Sequence, residues 1–180
     1  MLENKPKLLL HICCGPCATW SAKELMKNYQ VVLYFYNPNI WPREEWQKRL
    51  IAARQVADAY GLPIIVEDSD EAVWLDQAQP FADEPERGKR CHLCYSWRLK
   101  KTIERAEQDN FDYFATSLTV SPYKDKEAIN QIGQTIAQNS QVKYLTTDFQ
   151  KNDGYRQSII LSKELGLYRQ KYCGCQFTAR

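Results

Sequence analysis

The sequence predicts a single α/β domain built on a three-layer parallel sheet, and two observations support this prediction. Short apolar runs alternate with longer segments of helical periodicity along the chain, which is the pattern of a Rossmann-like sheet with helices on both faces. The chain has 180 residues, of which 44% are hydrophobic, so one sizeable core is expected and two are not. We therefore expect residues 1–180 to form one domain without an internal linker.

Five apolar runs are predicted to be buried strands. They are residues 8–10, 31–36, 63–66, 113–116 and 142–145. Between and after them, apolar residues recur at helical spacing. The predicted helices are residues 18–26, 43–60, 91–108, 125–138 and 155–165. Three residues mark helix ends, because Pro42 suits a helix start, Gly61 a helix stop and Asp125 a helix cap.

Two segments fall outside this alternation. Residues 68–90 are acidic and contain two prolines, so we expect an irregular insert over the sheet edge with a short helix around residues 72–78. Residues 168–180 form a C-terminal tail that includes a Cys-Gly-Cys sequence.

Composition limits the class of protein. No apolar run approaches the length of a membrane span, and Met1–Lys5 does not open a signal peptide. We therefore expect a cytoplasmic protein with no membrane partner. The net charge of +2 is too small to indicate a nucleic-acid partner, although local clusters of Lys and Arg permit one.

Seven cysteines in a reducing compartment are not expected to form a disulfide framework, and an odd number leaves one unpaired. Two pairs, Cys14-x-x-Cys17 and Cys91-x-x-Cys94, have the spacing with which thiolates chelate zinc or an iron–sulfur cluster. The first pair lies in a strand-to-helix turn and the second at a helix start, where the helix dipole lowers the pKa of a thiol. Metal binding or redox chemistry is therefore predicted.

A closed zinc site with four cysteines is the simplest structural interpretation. It leaves Cys13, Cys173 and Cys175 unused beside the crevice. Because Cys13 and Cys14 are adjacent, we expect their side chains to point apart and to serve two different centres. Cys173 and Cys175 lie in a tail expected to be flexible, where they suit metal chelation, a strained disulfide or two buried structural thiols.

The two histidines have ordinary structural interpretations. His11 ends an apolar strand and is expected to be a core residue bonded to backbone. His92 lies between the cysteines of the second pair and is expected to face solvent.

A thiol-disulfide oxidoreductase is the main enzyme alternative, since Cys14-Gly15-Pro16-Cys17 opening a helix also describes a thioredoxin-like site. Such an enzyme does not need five further cysteines, and a site with many sulfur ligands explains the second pair better. A zinc-binding module that binds RNA is the non-enzymatic alternative.

Five motifs occur in order along nearly the whole chain. They are His11-x-Cys13-Cys14-x-Pro16-Cys17, Tyr36-Asn37-Pro38-Asn39-Ile40, Arg90-Cys91-x-x-Cys94-Tyr95-x-x-Arg98-Leu99, Ser117-Leu118-x-x-Ser121-Pro122-Tyr123-Lys124 and Tyr168-Arg169-Gln170-x-Tyr172-Cys173-Gly174-Cys175. Together they resemble the QueH family of epoxyqueuosine reductases from about residue 8 to residue 177.

The resemblance implies a cobalamin-independent enzyme that removes the epoxide oxygen of epoxyqueuosine at the wobble position of tRNA, giving queuosine in the last step of that modification. It also implies a fold like that of the adenine-nucleotide α-hydrolase group. The first turn carries cysteines where nucleotide-binding relatives have a phosphate loop, so no ATP chemistry is expected.

The cofactors implied by the resemblance are a [4Fe–4S] cluster and an additional mononuclear iron. All seven cysteines are candidate metal ligands. Our expectation assigns Cys14, Cys17, Cys91 and Cys94 to the cluster, and it places Cys13, Cys173 and Cys175 at the second iron or in redox exchange.

The expected mechanism is reductive deoxygenation with electrons from an external donor. Catalytic roles are expected for Cys13 and Cys175. Tyr123, Lys124, Asp125 and Arg98 are candidates to orient the modified base or to donate a proton. For stacking on the flipped anticodon base, the candidates are Trp41, Trp97 and Tyr155.

Overall fold

The computed structural model describes residues 5–68 and 71–178. Five parallel strands form one sheet in the order β3-β2-β1-β4-β5. The strands are β1 (Lys7–His11), β2 (Gln30–Phe35), β3 (Ile64–Val66), β4 (Tyr113–Thr116) and β5 (Lys143–Tyr144). All five predicted strands are present, and β4 has the predicted bounds.

Among the described residues, six α-helices connect and follow the strands. They are α1 (Gly15–Leu25), α2 (Arg43–Tyr60), α3 (Glu71–Ala78), α4 (Lys89–Gln108), α5 (Lys126–Ala137) and α6 (Gly154–Glu164). Short 3-10 helices occupy residues 79–81, 117–120, 151–153 and 176–178. The helix predicted to start at Cys91 begins two residues earlier, at Lys89.

The helices cover both faces of the sheet, as the predicted three-layer fold requires. Helix α1 packs against α2 and α6, whereas α4 packs against α5. The central strand β1 is buried on both sides, because Leu8, Leu9 and Leu10 are fully inaccessible to solvent. A continuous apolar run is typical of a parallel strand that has helices on both faces.

Strand order places a crevice at the end of β1. This strand pairs with β2 on one side and with β4 on the other, so the connections that leave β1 and β4 diverge at their carboxyl ends. Ligands of open α/β sheets bind in this position. The turn that follows β1 and the loop that follows β4 therefore frame the expected site.

The insert packs over this edge of the sheet and contains the short helix expected there, α3. Trp74 of α3 lies edge-on against Trp97 of α4, and it shares an apolar cluster with Cys94. The buried guanidinium of Arg90 donates hydrogen bonds to three carbonyls of the insert, those of Phe81, Ala82 and Glu84. The insert is therefore attached to α4 next to the second cysteine pair.

Within residues 5–68 and 71–178, no helix has both the length and the apolar character needed to cross a membrane.

Candidate metal centre

Three thiols converge where β1 passes into α1. The Sγ atoms of Cys13, Cys14 and Cys17 all lie within 4.8 Å of one another, and all three residues are buried. The Sγ atoms of Cys13 and Cys14 are 3.6 Å apart. Convergent sulfur ligands of this kind suit a soft metal such as iron or zinc. We call these three residues the cysteine triad.

The prediction that the side chains of Cys13 and Cys14 point apart is wrong. Alternation of side chains holds along a regular strand, and β1 ends at His11. Cys14 is already the N-cap of α1, with φ −171° and ψ 165°. The chain bends between strand and helix, so both thiols face the same crevice.

Gly15 sets the position of the triad relative to α2. A Cβ atom on this residue would lie 2.6 Å from the backbone oxygen of Ala52, which no side chain tolerates. The first turn of α1 can approach α2 this closely only with glycine. Cys14, directly before Gly15, and Cys17, two residues after it, are therefore held at a fixed depth in the crevice.

The three thiols of the triad differ in the direction of their pKa shifts. Hydrogen bonding with the side chains of Cys14 and Cys17 holds the pKa of Cys13 well below its usual value. The hydrogen bond to Cys13, together with burial, raises the pKa of Cys14 to about 12. The same kind of hydrogen bond to Cys13, and to Cys14, raises the pKa of Cys17. A metal that binds all three thiols must therefore displace protons.

The remaining four cysteines lie on α4 and the C-terminal tail. Cys94 and Cys175 are buried, whereas Cys91 and Cys173 are partly buried, and all are free thiols. Cys94 interacts electrostatically with Cys173, and Cys175 interacts with Cys94. Two segments that are distant in sequence thus bring a second group of thiols to the same edge of the sheet.

The tail is anchored rather than flexible, contrary to the sequence expectation. Arg49, fully buried on α2, donates hydrogen bonds of 3.0 Å to the carbonyls of Tyr172 and Cys173. Its Nε lies 2.7 Å from a carboxylate oxygen of Glu45, and this carboxylate also accepts from the hydroxyl of Tyr168. The contacts hold the side chain of Tyr168 and the backbone at Tyr172 and Cys173, so the tail has a defined position.

Within the tail, a hydrogen bond with Cys175 lowers the pKa of Cys173 to about 4. The same interaction raises the pKa of Cys175. The Cys-Gly-Cys turn therefore presents one thiolate and one thiol.

Two cations interact electrostatically with thiols of both groups. Arg98 is 2% exposed, and its guanidinium interacts with Cys94, Cys13 and Cys173. Burial alone would lower the pKa of Arg98 and of Lys124, but neighbouring thiols raise both. For Lys124, which is half-buried, the strongest of these neighbours is Cys173. Both side chains therefore stay charged and offset the negative charge of the thiolates.

His11 is a core residue, as predicted, and not a ligand. Its Nδ1 lies 2.9 Å from Oγ1 of Thr116, and its Nε2 lies 3.2 Å from the carbonyl of Tyr36. Burial, with the nearby charge of Arg98, lowers its pKa to about 3. The neutral ring therefore connects the ends of β1, β2 and β4.

The other predicted site residues occupy different environments. Asp125 caps α5, because its Oδ1 accepts a hydrogen bond from the amide of Ala128 at 3.0 Å. Trp97 donates from Nε1 to the hydroxyl of Tyr36 and is only partly exposed. Trp41 and Tyr123 are exposed, and Tyr155 lies edge-on against Tyr123.

Sequence reasoning missed Gln170, which contacts the triad directly. Its Nε2 lies 3.0 Å from Sγ of Cys14, although the two residues are 156 positions apart. The residue belongs to the tail motif, and nothing in its own spacing indicates a partner in the first turn.

Fold and site together define the class: this is a Rossmann-like α/β protein with a cluster of thiols at the carboxyl edge of its sheet that could hold a metal. Residues 8–180 match the family model described as epoxyqueuosine reductase QueH, and the chain belongs to this family. The function predicted from the sequence is therefore confirmed at the level of the family, and a reductase is favoured over the zinc-module and thioredoxin-like alternatives.

Curated relatives carry the same description. Epoxyqueuosine reductase QueH of Streptococcus pyogenes serotype M1 is 36% identical over 182 residues, which cover 98% of this chain and 71% of the relative. The protein of the same name from Thermotoga maritima is 36% identical over 174 residues, which cover 95% and 89% of the two chains.

Solved structures confirm the fold class. The U34-tRNA thiolase NcsA from Methanococcus maripaludis was solved with its [4Fe-4S] cluster. Its TM-score against this chain is 0.63 at 14% identity, and the match covers 99% of this chain and 63% of that chain. A predicted subunit of a tRNA methyltransferase from Methanocaldococcus jannaschii has a TM-score of 0.58 at 17% identity, covering 87% and 76% of the two chains. At these identities the likeness concerns the fold alone.

Proposed function

We propose that this chain is an iron–sulfur-dependent reductase that converts epoxyqueuosine in tRNA to queuosine. The observation that carries the proposal is the convergence of the cysteine triad with a second group of thiols and two cations at one crevice. The reaction consumes two electrons and two protons, breaks both carbon–oxygen bonds of the epoxide, forms a carbon–carbon double bond and releases water. An external reductant supplies the electrons.

The donor set fits an iron–sulfur cluster with a further iron. A cubane cluster takes about four thiolates, whereas the chain has seven cysteines. The triad would provide three ligands, and Cys91, Cys94, Cys173 and Cys175 would provide the others. Bound there, these groups would supply single electrons and Lewis-acid polarisation of the epoxide oxygen.

Arg98 and Lys124 act on the oxygen of the substrate. Both are cations close to the thiols, so they stabilise negative charge that develops as the carbon–oxygen bonds break. Lys124 can also donate a proton to the departing oxygen, whereas an arginine does not lose its proton in proteins. We therefore assign the proton to Lys124 and electrostatic stabilisation to Arg98.

Anaerobic reconstitution with iron and sulfide tests the proposal. Reconstituted protein should absorb broadly near about 400 nm, contain more iron than acid-labile sulfide, and deoxygenate an anticodon stem-loop that carries epoxyqueuosine. Protein loaded with zinc instead should be colourless and inactive. Equal iron and sulfide in fully active protein would refute the further iron, and activity of the zinc form would refute the reductase.

A further inference from the structure

The rim of the crevice carries an exposed aromatic ring on a fixed backbone. The side chain of Tyr123 is 68% exposed, although it lies one residue before Lys124 in the loop after β4. A tyrosine in this position loses most of the free energy that burial of its ring would provide. Its exposure therefore calls for an explanation in terms of a ligand.

The backbone around Tyr123 is held by long-range hydrogen bonds. Arg87 of the insert donates from its guanidinium to the carbonyls of Pro122 and Tyr123. Gln150 donates from its side-chain amide to the carbonyl of Ser121 at 3.0 Å. The ring is therefore presented by a loop attached to two other parts of the chain.

Arg87 itself adopts an unfavourable backbone conformation, with φ 69°. Residues other than glycine occupy this region at a cost, and such residues cluster at functional sites. The contacts that this conformation makes possible are those to the loop of Tyr123, together with a hydrogen bond from its amide to Sγ of Cys91 at 3.2 Å.

A second aromatic ring connects Tyr123 to the triad. The rings of Tyr123 and Tyr155 are 6.3 Å apart at an interplanar angle of 87°, so Tyr155 supports the edge of the exposed ring. Tyr155 also interacts electrostatically with Cys17 and with Arg169, and the side chain of Arg169 is exposed. The exposed ring and the cation are thus both neighbours of Tyr155, which itself interacts with Cys17 of the triad.

We infer that Tyr123 is a stacking platform for an unpaired base of the anticodon loop, with Arg169 contacting the adjacent phosphate. The inference rests on the proposed function, because it takes RNA as the substrate. Aromatic rings bind bases of single-stranded nucleic acid by stacking, and a neighbouring cation binds the backbone. A base stacked on this rim holds the loop while the modified base enters the crevice.

Binding of anticodon stem-loops to reconstituted protein without reductant tests the inference. Each loop position is replaced in turn by an abasic residue, and affinity is measured by fluorescence anisotropy. With the unsubstituted protein, one abasic position should weaken binding by about tenfold or more. With Tyr123→Ala, the intact loop should bind correspondingly weakly, and the abasic penalty at that position should disappear.

Matched variants separate stacking from folding. Tyr123→Phe keeps the ring and should bind like the unsubstituted protein. Ile51→Ala removes a side chain of α2 that is 60% exposed and should also have no effect. If Tyr123→Ala keeps the affinity for the intact loop, or keeps the abasic penalty at every position, the platform is refuted.

Two further outcomes have distinct meanings. Normal RNA binding by Tyr123→Ala, combined with slower reduction by the external electron donor, would overturn the inference. It would indicate that the rim binds the electron donor instead of RNA. Absence of turnover of an epoxyqueuosine stem-loop by the unsubstituted protein would overturn the proposed function itself.

Discussion

The side-chain amide of Gln170 donates a hydrogen bond to Sγ of Cys14, with 3.0 Å between nitrogen and sulfur. The opposite orientation of the amide would place Oε1 against the sulfur. In the observed orientation Oε1 is buried and has no hydrogen-bond partner among residues 5–68 and 71–178. An unsatisfied buried acceptor is costly. The amide therefore keeps the contact between Nε2 and Cys14 although its Oε1 atom pays this free-energy cost.

The first prediction concerns the potential of the metal centre. An N–H donor to a ligating sulfur stabilises the reduced, more negative state. Gln170→Leu should therefore make the reduction potential more negative, by roughly 40 mV if the hydrogen bond contributes about 1 kcal/mol. A potentiometric titration followed by electron paramagnetic resonance measures the shift. Gln47→Leu, at an exposed position on α2, is the control, and an unchanged potential in Gln170→Leu would contradict the prediction.

The second prediction concerns the triad as a unit. Because the three Sγ atoms converge within 4.8 Å, Cys13→Ser, Cys14→Ser and Cys17→Ser should each reduce bound iron to the same extent. Cys175→Ser, on the tail, should keep the iron bound by the triad. Iron and sulfide analysis after anaerobic reconstitution measures both. Loss of the further iron alone in Cys13→Ser, with the cluster iron and sulfide retained, would restore the idea that Cys13 and Cys14 serve different centres.

Local patterns predicted the elements of the fold well. The alternation of apolar runs and helical segments gives the five strands and the parallel sheet, and Asp125 caps its helix as its residue type and position indicate. Periodicity succeeds here because each strand is buried as a whole and each helix buries one face. The exact helix ends depend on long-range contacts, such as those of Arg90 with the insert, which explains the earlier start of α4.

The site was predicted less completely, for a physical reason. Spacing identified the cysteines, but the direction of a side chain in a strand-to-helix bend depends on backbone angles at Cys14. The anchoring of the tail depends on Arg49, which is more than 120 residues away. Neither relation has a signature in the local sequence.

The third prediction concerns pH. The pKa of Cys14 is raised to about 12 and that of Cys17 is also raised, whereas that of Cys13 is lowered. Near pH 7 the triad thus carries about two protons that a metal must displace. The apparent affinity of the triad for a metal should therefore rise with pH, by up to about 100-fold per pH unit. Anaerobic cobalt(II) titrations of the metal-free protein at several pH values between 6 and 8 measure the slope. Affinity that does not change with pH would contradict the assigned protonation.

The fourth prediction concerns the anchor of the tail. Arg49→Met leaves the buried carboxylate of Glu45 without its cation, and breaking a buried ion pair costs about 3–5 kcal/mol. We expect a decrease of that size in the free energy of unfolding and earlier proteolysis within residues 168–178. Arg43→Met is the matched control on the same helix, because its ion pair with Asp68 is exposed and contributes about 0–1 kcal/mol. Equal stability of the two variants would show that Arg49 does not anchor the tail.

The last prediction separates the charge of Lys124 from its proton. Lys124→Arg keeps a cation in the crevice but cannot release a proton, whereas Lys124→Met removes both. Loss of general acid catalysis lowers rates by about 10²–10⁴-fold, so Lys124→Arg should slow deoxygenation by this factor with unchanged iron content. Lys124→Met should be slower still, because the negative charge on the epoxide oxygen then loses a cation as well. If Lys124→Arg retains the full rate in single-turnover measurements with excess reductant, then Lys124 contributes charge alone and the proton has another source.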